Sequence, residues 1–153
     1  MFPRESWVIS RSPEETVGYG EWLGRRLRKG DVVSLVGEVG GGKTTFTKGI
    51  AQGLGIRVDL SEVTSPTFVF IKEYPCRIPL HHVDLYRLEG APQGPDAELI
   101  QECFAAGGVT VLEWGGKAEG ILPAERYEVR FEHAGPSSRK IRWDRLGAGG
   151  KGE

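Results

Sequence analysis

The sequence predicts an α/β fold: one domain with a mostly parallel central sheet flanked by helices and an antiparallel hairpin near the carboxyl end. Two kinds of strand carry this prediction. The runs at 32–36 and 109–112 are predominantly apolar, which is typical of parallel strands buried on both faces. The segments at 126–132 and 140–144 alternate polar and apolar residues, as antiparallel strands with one solvent-facing side do.

A strand and a well-marked helix start are predicted before the first apolar run. Residues 7–10 are expected to form a short strand. Ser12, Pro13 and Glu15 then supply an N-cap, a proline at the first helical position and a capping-box carboxylate. We expect this helix to run to about residue 29.

A second helix is predicted after the run at 32–36. Phe46, Ile50 and Leu54 recur every four residues on one face, and Gly55 is a plausible stop. The other predicted elements are a loop at 58–65, strands at 67–74 and 80–84, a surface loop at 88–96, a helix at 97–104, and a turn at 133–137 between the hairpin strands.

Composition predicts a single domain without a membrane segment. The 153 residues are 39% hydrophobic and carry a formal net charge of −1, so we expect one core and no global field for nucleic acid or membranes. No signal-like core and no apolar run near the ~20 residues of a membrane span is present. Cys76 and Cys103 lack metal-ligand spacing and are expected to be reduced thiols. We therefore expect a cytoplasmic protein with a domain at 1–146 and a flexible tail at 147–153.

A phosphate-binding loop is the most specific motif. Residues 37–44 match G-x-x-x-x-G-K-[ST] at every fixed position. Its glycines allow a backbone anion nest, and the following helix directs unpaired N–H groups and its positive dipole end at the phosphates. Lys43 adds charge for the β- and γ-phosphates, and the Thr44 hydroxyl is placed to bind Mg²⁺. The residues expected to hold the nucleotide in and beside this loop are Glu38, Gly40, Gly41, Gly42, Lys43, Thr44 and Thr45.

Two strand-end acids are candidates for the rest of the site. Asp84 ends the strand at 80–84, and Glu113 follows the apolar run at 109–112. In such folds ligands bind at the carboxyl ends of the strands. Hydrolysis needs a carboxylate on or near Mg²⁺ and a group that orients the nucleophile. We therefore predict catalytic roles for Asp84, Glu113 and Lys43 and metal ligation by Thr44, Glu113 and Asp84; which acid holds Mg²⁺ stays open.

Several nearby side chains have both a functional and a structural interpretation. The Thr67 hydroxyl could sense a γ-phosphate, although a polar turn explains it as well. His81 and His82 point to opposite faces of a strand, so at most one faces the site. Arg87 could pair with Asp84. Trp114 is either a core aromatic or a wall of the nucleotide site.

The chain lacks features of two common nucleotide-dependent classes. It contains no Asn, so the Asn-Lys-x-Asp motif that reads guanine cannot be present. No segment resembles the arginine-bearing lid of a small nucleoside kinase. ATP is therefore favoured over GTP.

Motifs in a fixed order identify a family resemblance. GEVGGGKTTF at 37–46, SPTF at 65–68, HVDLYR at 82–87, LEW at 112–114 and ILP at 121–123 occur in succession. This order strongly resembles the bacterial TsaE family (also called YjeE), the ATPase of tRNA threonylcarbamoyladenosine biosynthesis, over nearly the whole chain.

The resemblance implies a compact P-loop domain whose slow, Mg²⁺-dependent ATP hydrolysis supports the partners TsaB and TsaD. These partners modify the adenosine next to the anticodon. It makes Thr67 the switch threonine, Glu113 the acid near Mg²⁺ and Trp114 a flank of the site. Two departures stand out: Gly116 occupies a position where many relatives have Glu, and the loop at 88–96 is richer in Gly and Pro than is usual.

Two other functions and one further contact stay open from the sequence. The protein could be a nucleotide-gated binding module in which hydrolysis only resets partner assembly, or, third, a small-molecule kinase. Direct tRNA contact by the basic stretch at 139–151 is possible, but a solvated hairpin edge is the simpler explanation. Its basic residues are Arg139, Lys140, Arg142, Arg145 and Lys151.

Overall fold

The computed structural model describes residues 7–37, 42–64 and 71–147, which form one seven-stranded mixed sheet with helices on both faces. This confirms the predicted fold class. The strands are β1 (Val8–Ser10), β2 (Val32–Gly37), β3 (Ile71–Tyr74), β4 (Leu80–Asp84), β5 (Val109–Glu113), β6 (Arg126–Gly135) and β7 (Ser138–Leu146). The α-helices are α1 (Pro13–Gly24), α2 (Gly42–Gly53) and α3 (Gly94–Ala105), with short 3-10 helices at Leu60–Glu62 and Gly115–Ile121.

The sheet order is β1-β7-β6-β2-β5-β4-β3. Its centre is parallel, since β2 pairs in parallel with β6 and β5, and β5 with β4. The margins are antiparallel, at the pairs β1–β7, β6–β7 and β3–β4. β5 thus lies between β2 and β4 although it follows both along the chain, so the carboxyl ends of these three strands meet at one edge with β5 in the middle.

Side-chain alternation divides the core between the two faces of the sheet. Val33 and Leu35 of β2 belong to the cluster formed with α1 and α2. Val32 and Leu112 belong to a second cluster with Ile100 of α3. Burial on both faces explains why β2 and β5 lack polar alternation.

Helices α1 and α2 pack with their backbones nearly in contact. A Cβ on Gly49 would lie 2.2 Å from the Val17 carbonyl oxygen, which is closer than two non-bonded atoms can approach. Three further glycines make similarly close approaches between these helices; the four are Gly20, Gly24, Gly49 and Gly53. This contact holds the amino terminus of α2 against the amino-terminal strand and helix.

The start of α1 was predicted well, but its end was not. The Ser12 hydroxyl accepts a hydrogen bond from the Glu15 amide, as an N-cap does. The helix ends at Gly24 rather than near residue 29, because the following amides turn back three residues; the Arg26 N–H donates to the Leu23 carbonyl.

The carboxyl-terminal hairpin is longer than predicted, and a further strand pairs with part of its outer side. β6 and β7 continue to Gly135 and Ser138, so the turn is shorter than the segment 133–137. β7 then pairs with β1, for example Val8 with Ile141. The interpretation of a solvated hairpin edge is therefore wrong for residues 139–141, where the short first strand pairs with β7.

Other boundaries shift by a few residues. α3 begins at Gly94 rather than at residue 97, with Pro95 in its first turn. Of the strand predicted at 67–74, only Ile71–Tyr74 falls within the described residues. The predicted tail, apart from Gly147, lies outside them. Among the described residues no helix is both long and apolar enough to cross a membrane.

Both cysteines are free, as the sequence suggested, and the structure shows that both are buried. Burial raises the pKa of the Cys76 thiol to about 11, outweighing the opposing charges of Arg57 and Arg77. Burial also raises the pKa of Cys103, helped by Glu73. Neither thiol therefore has the lowered pKa of a reactive nucleophile.

Candidate functional site

In the described part of the phosphate loop, the side chain of Lys43 in α2 reaches back to the end of β2. β2 ends at Gly37, which has a φ of +130° and leaves no room for a side chain, because a Cβ would lie 2.2 Å from the Phe131 carbonyl oxygen. Lys43 is 3% exposed, and its ammonium donates to the Gly37 carbonyl oxygen at 3.2 Å. The same ammonium lies 4.5 Å from the centre of the Trp114 ring, within cation–π range.

Four of the predicted nucleotide-binding residues lie outside the described residues: Glu38, Gly40, Gly41 and Thr67. Gly42 begins α2, and Thr45 lies in the first turn of that helix. The amino terminus of α2 is therefore where the motif predicted an anion-binding helix start.

A hydroxyl–carboxylate contact joins the start of α2 to the end of β5. The Thr44 hydroxyl lies 3.0 Å from each carboxylate oxygen of Glu113 and donates to them. The two residues are 69 positions apart in sequence. Glu113 is only 3% exposed, so its carboxylate is buried at the carboxyl end of β5, against the first turn of α2.

Asp84 stands beside Glu113 on the neighbouring strand. The two are register partners in the parallel pair β4–β5, and adjacent strands lie about 4.8 Å apart. Asp84 is half-buried, and its Oδ1 accepts a hydrogen bond of 3.0 Å from the Tyr86 amide. The structure therefore brings the two predicted acids together on neighbouring strands. Glu113, on the strand nearer to α2, accepts the hydrogen bond from Thr44.

His82 belongs to this cluster, although no role was predicted for it. It is fully buried, and its Nε2–H donates to Glu113 Oε2 at 2.7 Å. Its other ring nitrogen is buried without a hydrogen-bond partner in the described part of the chain. The available signal was the period of two along β4, which puts His82 and Asp84 on one face. His81, on the opposite face, is half-buried.

Trp114 connects the buried lysine to an exposed aromatic. It leaves β5 in the left-handed backbone region, with φ 62° and ψ 38°. Its half-buried ring contacts Lys43 on one side and the Tyr86 ring, at 5.2 Å between centres, on another. Tyr86 is 55% exposed. Trp114 therefore lies beside the phosphate-loop lysine, and its role at the flank of a nucleotide stays a prediction.

A pocket of about 290 Å³ opens beside the amino terminus of α2. β1, α1 and the turn of the hairpin form its other walls. The residues lining it are Ser10, Ser12, Pro13, Thr16, Gly42, Thr45, Pro136, Ser137 and Arg139. No spacing rule could have found this pocket, since it combines three segments that are distant in sequence.

The basic stretch is divided by the fold. Arg139 lines the pocket, whereas Arg142 lies 3.4 Å from Asp144 and Arg145 lies over the Tyr127 ring. Lys140 lies over the Trp7 ring. Lys151 is outside the described residues. Direct tRNA contact by this stretch stays a prediction.

The donor set of the site suits Mg²⁺. No cluster of three or more His, Cys, Asp or Glu able to hold a metal ion occurs in 7–37, 42–64 or 71–147. Mg²⁺ is usually bound through one or two protein oxygens together with phosphates and waters. The oxygens of Thr44 and Glu113 fit that requirement, whereas a site for zinc would need more nitrogen or sulfur ligands.

Comparison with known families decides the relationship of this chain. The model of the family described as "Threonylcarbamoyl adenosine biosynthesis protein TsaE" matches residues 10–141. The chain belongs to the TsaE family. This confirms the resemblance found in the order of its motifs.

Individual TsaE relatives match over nearly their whole length. The protein named tRNA threonylcarbamoyladenosine biosynthesis protein TsaE from Bacillus subtilis is 42% identical over 138 residues, which cover 89% of this chain and 83% of the relative. The protein of that name from Treponema pallidum is 39% identical over 133 residues, covering 87% and 96%. A crystal structure of Bacillus subtilis YdiB superposes with a TM-score of 0.75 at 34% identity, covering 95% of this chain and 88% of that one.

Proposed function

We propose that this protein binds ATP with Mg²⁺ and hydrolyses it slowly in the cytoplasm, in support of threonylcarbamoyladenosine formation next to the anticodon of tRNA by the partners TsaB and TsaD. The observation that carries the proposal is the contact of the Thr44 hydroxyl with both oxygens of Glu113. This contact brings together, at the start of α2, a hydroxyl and a buried carboxylate that are both of the kind that Mg²⁺ prefers.

The metal would be held by Thr44 and Glu113. When bound, Mg²⁺ would neutralise charge on the phosphate oxygens and fix their orientation. Glu113 is suited to this task because His82 and Thr44 hold its carboxylate in one orientation. A preorganised ligand loses little freedom on binding.

Lys43 and Asp84 would act on the substrate. The buried Lys43 ammonium stabilises negative charge on the β- and γ-phosphates in a site where water screens little. Asp84 lies one strand further from Thr44 and is less buried, so it is the better candidate to orient or deprotonate the attacking water. This assigns the metal to Glu113 and the water to Asp84, a choice that the sequence left open.

The pocket beside α2 would hold the adenosine part of the nucleotide. Its volume of about 290 Å³ and its position next to Gly42 and Thr45 support this role. Arg139 in its wall can stack on the base or contact phosphate oxygen.

The assignment is tested by separating nucleotide affinity from turnover in three variants. Thr44→Ala and Glu113→Gln should weaken Mg²⁺-dependent ATP binding by about tenfold or more and reduce hydrolysis further. Asp84→Asn should leave affinity within about threefold of wild type and reduce turnover by about 100-fold. Glu98→Gln, an exposed position on α3, is the matched control. The assignment fails if Glu113→Gln and Asp84→Asn both hydrolyse ATP at the wild-type rate.

One observation also favours a nucleotide-gated binding module. Trp114 contacts both the phosphate-loop lysine and the exposed Tyr86, so a phosphate that moves Lys43 can change a surface that partners meet. Co-purification with TsaB and TsaD in ATP, in a non-hydrolysable analogue and without nucleotide tests this function. Equal assembly with ATP and the analogue, together with turnover that partners do not raise, would favour the module. Turnover that rises with partners would favour the ATPase.

A further inference from the structure

The ammonium of Lys117 is enclosed by three backbone carbonyls. Its Nζ donates to the carbonyl oxygens of Leu85 at 3.1 Å, Tyr86 at 2.9 Å and Leu88 at 2.8 Å. An ammonium has three donors, and all three are used. In the described part of the chain Lys117 forms no ion pair with a carboxylate. Its interactions are therefore directed at one loop.

That loop directly follows Asp84. The peptide group that joins Leu85 to Tyr86 is bonded on both sides: its N–H donates to Asp84 Oδ1 at 3.0 Å, and its carbonyl, that of Leu85, accepts from Lys117 at 3.1 Å. The Leu85 N–H donates to the Glu113 carbonyl at 3.1 Å. The segment after one acid is thus tied to the segment after the other.

Lys117 itself is fixed to the turn that follows Glu113. Its backbone N–H donates to the Trp114 carbonyl at 3.0 Å, within the 3-10 helix Gly115–Ile121. The side chain then crosses to the loop after β4. This crossing adds side-chain hydrogen bonds to the backbone link between Leu85 and Glu113, and losing it would give the segment that precedes the loop at 88–96 more freedom to move.

We propose that Lys117 is a positioning residue for Asp84, acting through the peptide group between Leu85 and Tyr86 to set the orientation of the Asp84 carboxylate relative to Glu113. This inference rests on the proposed hydrolytic function. The Lys117 ammonium donates to the loop after β4, and its effect is on the geometry of the attack. Small misplacements of a catalytic group can cost about 100-fold in rate.

The test compares Lys117→Met with Lys29→Met, which removes an exposed lysine in the turn before β2. Amide hydrogen exchange at 85–88 is measured on the full chain without nucleotide, and it should speed up by about tenfold or more in Lys117→Met only. Single-turnover hydrolysis of radiolabelled ATP should slow by about tenfold, while the Kd for ATP with Mg²⁺ stays within about threefold. In an Asp84→Asn background the Lys117→Met effect on turnover should shrink to within about twofold, because the group being positioned is already lost.

A chemical rescue separates positioning from damage to the fold. Lys117→Cys followed by alkylation with bromoethylamine restores an ammonium on a side chain of nearly the same length, and it should recover most of the lost turnover and protection. Cys76 and Cys103 are buried with raised pKa values, so the introduced thiol reacts first; mass spectrometry confirms the site.

The outcomes distinguish the two claims. If Lys117→Met matches Lys29→Met in exchange and turnover, the positioning role is overturned while the proposed function stands. Equal losses of affinity and turnover, or full additivity with Asp84→Asn, also overturn it. If the wild-type protein does not hydrolyse ATP even with its partners, the proposed function and the catalytic part of the inference fail, and exchange at 85–88 alone decides whether Lys117 holds the loop.

Discussion

The buried imidazole of His82 donates a 2.7 Å hydrogen bond to the carboxylate of Glu113, and the Thr44 hydroxyl donates to the same carboxylate. A carboxylate that is 3% exposed needs such donors, because an ionised group removed from water is costly when it is unpaired. His82 therefore does two things: it satisfies Glu113 and fixes the direction in which its other oxygen faces.

Replacing His82 should affect both stability and metal-dependent binding. His82→Leu should lower the free energy of unfolding by about 1–3 kcal/mol, because Glu113 loses a buried donor. It should also weaken Mg²⁺-dependent ATP binding by about tenfold. His82→Gln, which can still donate, should lose less of both. Urea denaturation and titration with a fluorescent ATP analogue measure the two effects.

The adjacent histidine provides the control. His81→Gln changes a half-buried residue on the other face of β4 and should leave nucleotide affinity unchanged. Equal losses of affinity for the two histidine variants would contradict a specific role of His82.

The contact between α1 and α2 predicts opposite effects for two glycine substitutions. Gly49→Ala should destabilise the protein by about 2–3 kcal/mol, since its Cβ would overlap the Val17 carbonyl oxygen and force the helices apart. Gly18→Ala, on an open and exposed part of α1, should instead stabilise by about 0.5–1 kcal/mol. Thermal and urea unfolding test this. A Gly49→Ala protein as stable as wild type would mean that the helices are less closely packed than described.

The glycine pair after Trp114 should behave unequally. A Cβ on Gly115 would lie 1.9 Å from Ser34 Oγ and 2.9 Å from Ser34 Cβ, whereas one on Gly116 would meet only Val36 Cγ1 at 3.9 Å. Gly115→Ala should therefore cost about 1–3 kcal/mol of stability, and Gly116→Ala almost nothing. Gly116→Glu should be accommodated equally well. A loss above about 1 kcal/mol for either Gly116 variant would contradict the open space seen there.

The pKa of Cys76 predicts slow alkylation at ordinary pH. Because burial raises its pKa to about 11, little thiolate is present at pH 8, and the rate with iodoacetamide should keep rising up to about pH 11. The neutral thiol also favours the folded state: this contribution is fully present below pH 9 and is lost as the pH rises toward 11. Peptide mass spectrometry after timed alkylation gives the rate. A half-maximal rate near pH 8.5 would contradict the raised pKa.

The pocket beside α2 predicts a role for Arg139 in nucleotide affinity. Arg139→Ala should weaken ATP binding by about tenfold, whereas Arg145→Ala, which removes the guanidinium over Tyr127, should not change it. Isothermal titration with ATP and with adenosine separates base from phosphate contacts. Equal affinities for the two variants would remove Arg139 from the nucleotide site.

Much of the fold followed from local patterns, and the errors have local causes. The predicted bounds of β2, β4 and β5 lie within a residue of the observed ones, and the capping residues correctly indicated where α1 begins. The end of α1 was placed too late, because a helical pattern does not show where hydrogen bonding tightens to three-residue turns. The hairpin turn was placed too broadly, because the strand pairing extends through residues of low strand propensity such as Gly135.

The sequence by itself determined that this chain has a phosphate loop, two strand-end acids and the ordered motifs of the TsaE family. Those features are local, since each needs only a few neighbouring residues. Only the tertiary structure decided how they combine. The placement of β5 between β2 and β4 brings Glu113 to Thr44 across 69 residues and sets His82 behind it. Strand order depends on packing between distant segments. The three carbonyls around the Lys117 ammonium and the pocket between Arg139 and α2 also come from segments that are distant in sequence.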